Sequence, residues 1–181
     1  MKWIHPSYLA KAFDKLPLLF VSSLLILFVS LPTLAQAQTF ELQDHRLVLP
    51  TPIHFKTGTA ELSPESESAL QHIKAYLEAK TAISLLRIEG HTDESTPAMD
   101  AQKLSEQRAM AVVRWLVAQG VDCKRLIPVG FGSGKPTAPN NTPEGKARNR
   151  RIEVVNAALR SRAIGGMPVD GGGLVAGDPC L

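Results

Sequence analysis

Apolar positions along this chain change their spacing from segment to segment, and the spacing predicts the elements. Ala69, Leu70, Ile73, Tyr76 and Leu77 recur at helical intervals, while Gln71, Lys74 and Glu78 fall on the opposite side. That is the pattern of an amphipathic helix. Ser63-Pro64-Glu65 supplies its start: a capping hydroxyl, a proline suited to the first helical position, and an acid that complements the dipole. Ile83-Ser84-Leu85-Leu86-Arg87-Ile88-Glu89 reads as a strand, and a polar loop covers residues 90–97. A second helix is expected over residues 100–119, ending at Gly120, a suitable residue just past a helix end. Residues 126–129 form a strand that enters Gly130-Phe131-Gly132-Ser133-Gly134, and Arg151-Ile152-Glu153-Val154-Val155 is the last strand. Upstream, residues 50–55 suggest an edge strand, because Pro50 and Pro52 cannot donate to a ladder. The order strand, helix, strand, helix, strand, strand predicts an α+β fold with two helices packed on a small mixed β-sheet.

The ends of the chain have a different character. Lys2, Lys11 and Lys15 precede an apolar run over residues 16–34, followed by Ala35-Gln36-Ala37. A basic opening, an apolar stretch and a small-residue site make residues 1–37 a secretory signal peptide. An uncleaved anchor helix is the alternative, since a span needs about 20 apolar residues. Residues 38–49 read as a linker, 50–157 as the folded domain, and 158–181 as a glycine-rich flexible tail. Of 20 basic and 17 acidic residues, the leader holds three and one, leaving 17 against 16. The expectation is therefore an exported protein with no nucleic-acid partner, touching a membrane only if its leader is retained. Cys123 and Cys180 are the two cysteines. In an oxidising compartment they are a candidate disulfide that would pin the tail to the domain.

One residue of the second helix breaks its pattern. At about 100° per residue, Leu104 and Val112 lie about 40° to either side of Arg108, and Trp115 about 20° away. Arg108 thus shares the core-facing arc, whereas Lys103, Gln107 and Arg114 point elsewhere. An arginine cannot discharge itself, so it either reaches the rim with its stem over the core or meets an anion. His91-Thr92-Asp93-Glu94 stands where the preceding strand ends, and ligands of layered sheets gather beyond strand ends. Asp93 and Arg108 can form a structural salt bridge, or stand apart and hold a ligand bearing both charges, Asp93 taking its ammonium and Arg108 its carboxylate.

Catalytic patterns are missing. No nucleophile elbow is present and no histidine pair has zinc spacing such as H-E-x-x-H, so neither catalytic nor metal-ligating residues nor a cofactor are expected. His54, His72 and His91 are isolated in sequence, with His72 on the outward side of its helix and His91 at a strand end. The run from Gly130 to Lys135 lacks phosphate-loop spacing, and Pro136 denies it the helix N-terminus such a loop needs.

Gly90-His91-Thr92-Asp93, Gln102-Lys103-Leu104-Ser105-Glu106-Gln107-Arg108-Ala109, Leu126-Ile127-Pro128-Val129-Gly130-Phe131-Gly132 and the stretch from Asn140 to Glu153 resemble, in that order, the OmpA C-terminal domain family. Phe55-Lys56-Thr57-Gly58-Thr59-Ala60-Glu61-Leu62 fits its opening, and the resemblance covers roughly residues 50–156. It implies peptidoglycan binding without cleavage, at the diaminopimelate of the stem peptide, in the periplasm and near the outer membrane. Asp93 and Arg108 then fall at the family's recognition positions, with Thr92, Leu104 and Arg150 as supporting contacts. Envelope proteins are further candidate partners, and a periplasmic protein-interaction module is the competing function. The chain departs from the family's pattern at Asp100-Ala101, where members often place Tyr-Asn, at Thr57 and at Gln107.

Overall fold

Residues 39–164 and 173–181 are described by the structure, a computed structural model. The expected leader, residues 1–37, lies outside them. A 3₁₀ turn, Pro64–Ser66, leads into α1, Glu67–Ala79. The Ser63 hydroxyl meets the Glu65 carboxylate instead of capping a backbone N–H. The buried side of α1 is Ala69, Leu70, Ile73, Tyr76 and Leu77, and burying each large member stabilises the fold by roughly 1.5–3 kcal/mol. His72 is half-buried instead of fully outward, its ring 5.0 Å from that of Phe40.

Both helices serve one mixed sheet. β3, Ile83–Gly90, lies at its centre, parallel to β4, Leu126–Gly130, and antiparallel to β5, Ile152–Leu159. Parallel neighbours need a crossover, and α2, Ala98–Ala118, provides it. The α2 helix closes at Gly120, whose φ of +89° is the left-handed conformation glycine adopts freely. Leu86 and Ile88 face the helices with no exposed surface, while Arg87 and Glu89 alternate to the other face.

Glycine sets the distance between α2 and the sheet. A Cβ on Gly90 would overlap the backbone carbonyl of Ser105, and one on Gly130 would stand 2.6 Å from both Glu106 N and Ser105 Oγ. Ser105 Oγ instead accepts from Gly132 N at 2.9 Å and donates to Gln102 O at 2.7 Å. Gln102 Nε2 donates to Gly130 O at 2.8 Å. The first half of α2 is thereby fastened to the ends of β3 and β4.

The structure differs from the expected elements in several places. Residues 50–55 form no strand, only one bridge from Phe55 to Leu62, because two prolines withhold the donors a ladder needs. Ser66 holds this segment, accepting from His54 N and donating to His54 O, each at 2.8 Å. Residues 39–49 of the expected linker carry the hairpin β1, Leu42–Gln43, and β2, Arg46–Leu47, which pairs with β5. β5 extends past Val155 to Leu159 and turns into β6, Arg162–Ala163. Between β4 and β5, in a stretch rich in Pro and Asn, lies α3, Pro143–Asn149, capped by Thr142 Oγ1, which accepts from Gly145 N at 3.0 Å.

The expected flexible tail is partly outside the described residues, at 165–172. Its final residues add β7, Leu174–Val175, antiparallel to β4. Cys123 and Cys180 form a disulfide with Cα atoms 5.2 Å apart. Among the described residues, the sheet order is β1-β2-β5-β3-β4-β7, with β6 beside β5. No helix of the described residues is long and apolar enough to cross a membrane.

Candidate functional site

β3 stops at Gly90, and the chain then passes between two anchors. His91 N donates to Arg151 O at 3.0 Å and Thr92 N donates to Gly132 O at 2.8 Å. These bonds aim Thr92 and Asp93 into a cleft of about 420 Å³. Its opposite wall is α2, contributing Leu104 and Arg108, and Ile53, Phe55 and Gly58 close one side. Asp93, Arg108, Thr92, Leu104 and Arg150, the residues singled out from the sequence, all line this one cleft.

Arg108 is 9% exposed, yet among the described residues no ion pair includes it. Its Nε donates to Thr59 O at 2.9 Å, and its guanidinium lies 5.0 Å from the Phe55 ring centroid. The terminal nitrogens remain for the cleft. Burial lowers its proton affinity, the Arg150 charge adds to this, and Asp93 acts in the opposite direction. Arginine nevertheless stays charged.

Asp93 is 4% exposed. Its Oδ1 accepts from Ser95 N at 2.7 Å, and its Oδ2 pairs with Arg150 Nη1. Burial pushes its pKa up, but the Arg150 and Ser95 hydrogen bonds outweigh burial and hold the carboxyl below the usual range. It is therefore an anion near neutral pH. Thr92 Oγ1, in the same lining, is buried without a hydrogen-bond partner among the described residues. A buried hydroxyl left unmade costs about 1–3 kcal/mol, which a bound ligand can recover.

Arg150 follows α3, and a single buried residue decides where it stands. Asn149 is fully buried, accepting from Thr137 N at 2.8 Å and Ala138 N at 3.0 Å. It donates to Ala138 O and Asn140 Oδ1, each at 2.8 Å. This folds residues 137–149 around one amide. Sequence reading missed Asn149, together with Phe55, Thr59 and Ser95. Only the position of Asn149 before an arginine run gave a signal, and it is a faint one.

His91 does not join Asp93 in the cleft. It is 2% exposed and stacks on Phe131 with ring centroids 5.3 Å apart. Its Nε2 lies 3.5 Å from Glu89 Oε2, and Glu153 stands nearby. Three such groups resemble a metal ligand set in type. The carboxylates are already matched by arginines, however: Arg87 on Glu89, with Arg46 and Arg151 on Glu153 at 2.6 Å each. Glu89 and Glu153 are directly opposed in register, and those cations offset a repulsion that would otherwise weaken the pairing.

Residues 54–150 match the OmpA family. YiaD of Escherichia coli (strain K12) is 38% identical over 116 residues, covering 62% of this chain and 51% of that protein. The peptidoglycan-binding protein ArfA of Mycobacterium tuberculosis (strain ATCC 25618 / H37Rv) is 39% identical over 104 residues, 58% of this chain and 32% of ArfA. The chain thus spans about half the length of the first relative and a third of the second. Among solved structures, the peptidoglycan-associated lipoprotein from Burkholderia pseudomallei is similar, with a TM-score of 0.53 and 28% identity. That likeness covers 57% of this chain and 86% of the other.

Proposed function

The chain belongs to the OmpA family, and from that premise we propose that it binds peptidoglycan non-covalently in the periplasm, at the diaminopimelate of the stem peptide. The observation that carries this reading is Arg108, a nearly buried cation that has no carboxylate partner among the described residues and lines a cleft that also holds Asp93. A charge in that position is costly unless an anion arrives. The free end of diaminopimelate carries an ammonium and a carboxylate on one carbon. Asp93 takes the ammonium. The carboxylate meets Arg108 end-on through its two terminal nitrogens, because Nε is already committed to Thr59 O. Leu104 and Phe55 flank the methylene chain, and the Thr92 hydroxyl supplies a further hydrogen bond. The names of ArfA and of the Burkholderia lipoprotein support peptidoglycan as the ligand class, and a disulfide suits an oxidising, exported location.

Binding proceeds without covalent chemistry. Among the described residues no hydroxyl is hydrogen-bonded to a histidine ring, Ser66 meeting only the backbone of His54, and both thiols are held in the disulfide, so these residues offer no activated nucleophile of the usual kind. Co-sedimentation with purified sacculi tests the reading. Asp93→Ala and Arg108→Ala, each shown folded by circular dichroism, should weaken binding by about 2–4 kcal/mol, as expected for truncating one side of a desolvated charge pair. Full binding by both variants would move the function to an envelope-protein surface. Release of soluble muropeptides would make the protein an enzyme.

A further inference from the structure

The cleft contains one anion and two cations, and its charges do not match a simple zwitterion. Asp93 is fixed by Ser95 N and by its own burial, but the Arg150 guanidinium already occupies its other oxygen. An ammonium approaching Asp93 therefore meets a resident cation. The two partners are unequal in mobility: the Asp93 side chain is 5% exposed and that of Arg150 is 48%. Arg150 is held through its backbone, its N–H donating to Lys146 O at 3.1 Å, and its side chain makes no other hydrogen bond among the described residues. Such a half-exposed arginine can leave its partner at small cost, whereas Asp93 cannot follow it.

Once displaced, Arg150 remains at the mouth of a site that already contains Arg108. The Arg150 charge is close enough to depress the proton affinity of Arg108. A ligand with one ammonium and one carboxylate satisfies Asp93 and Arg108 and leaves that excess positive charge unmatched. A second carboxylate on the same ligand would match it, and Arg108 cannot serve both. Resting on the peptidoglycan reading above, we propose that Arg150 exchanges partners on binding, releasing Asp93 to the ligand's ammonium and taking a second carboxylate of the same stem peptide. The cleft then selects peptides in which carboxylates lie beyond the zwitterionic centre. Arg150 is the specificity-determining residue.

Titration calorimetry with two synthetic probes tests this. One is N-acetyl-L-alanyl-γ-D-glutamyl-meso-diaminopimelate with its carboxylates free. The other has every carboxylate amidated except the one at the ammonium-bearing centre. The wild-type chain should bind the free form at least tenfold more tightly. Arg150→Gln should bind both forms alike, and the amidated one no more weakly than wild type, since Asp93 is no longer occupied. Arg148→Gln, which removes a neighbouring exposed arginine, should keep the discrimination and so exclude a general charge effect. Equal binding of both probes by wild type overturns the exchange while leaving the peptidoglycan reading intact, and so does discrimination that survives Arg150→Gln. Failure of wild type to bind either probe overturns both.

Discussion

Gly90→Ala tests whether close packing of α2 on the sheet positions the two charges of the cleft. The new methyl would stand 2.9 Å from the Ser105 carbonyl carbon and nearer still to its oxygen. Ordinary contacts need about 3.5–4.0 Å between carbons, so α2 must retreat from β3 by about 1 Å. Overpacking of this kind costs about 1–3 kcal/mol. For a domain of this size that lowers the melting temperature by roughly 3–12 °C. Arg108 lies one turn beyond Ser105 on the same helix, while Asp93 stays with β3. A change of about 1 Å in their spacing removes one charge-assisted hydrogen bond to the ligand, worth about 1.5–3 kcal/mol, or about 10–100-fold in affinity. Thermal melting followed by circular dichroism, with sacculus co-sedimentation on the same preparations, measures both quantities. A variant that melts lower yet binds with unchanged affinity would refute the idea that this contact sets the clamp. A variant unchanged in both would refute the packing argument itself.

Asn149→Ala should cost about 2–4 kcal/mol, because it orphans the Thr137 and Ala138 amides; chemical denaturation should show this, and Arg150 should lose its pairing with Asp93. Cys123→Ser should lower stability by about 4 kcal/mol from loop entropy over the 57-residue separation, with protease sensitivity appearing first at β7. Acid should destabilise the fold in two stages. Burial lowers the His91 pKa below 6.5, only partly offset by Glu89, so its contribution is complete above that pH and is lost as pH falls below it. Glu89, Glu153 and Asp93 are also held below their usual values, their arginine, histidine and backbone partners outweighing burial, and their contributions disappear as pH falls below about 4. Melting temperature against pH should therefore decline through both windows, and a His91→Phe variant should lack the first.

The layered core was legible because its residues obey a period. The five buried positions of α1 are those its helical spacing marks, and Arg108 stood out because the same geometry placed a cation on an apolar arc. What escaped was structure that no period encodes. The β1–β2 and β5–β6 turns use Asp44-His45 and Arg160-Ser161 at positive φ, without the glycine or Asn-Gly pair that announces a tight hairpin. α3 hides in a Pro- and Asn-rich segment because its seven residues, capped by Thr142, are too few for an apolar stripe. The Asp93–Arg150 pair joins residues 57 positions apart through a loop wound on Asn149, and only the folded chain brings them together. The tail's glycine content suggested freedom, whereas its last residues gain a strand partner and a disulfide.

The most direct test of the clamp pairs each protein charge with the ligand charge it should hold. Affinities of the amidated probe, and of versions lacking either its ammonium or its last carboxylate, can be measured against wild type, Asp93→Asn and Arg108→Gln. Asp93→Asn should become insensitive to loss of the ammonium while still responding to loss of the carboxylate, and Arg108→Gln should show the reverse. If each variant responds to both changes as wild type does, these two residues do not grip the ligand, and the cleft is not its binding site.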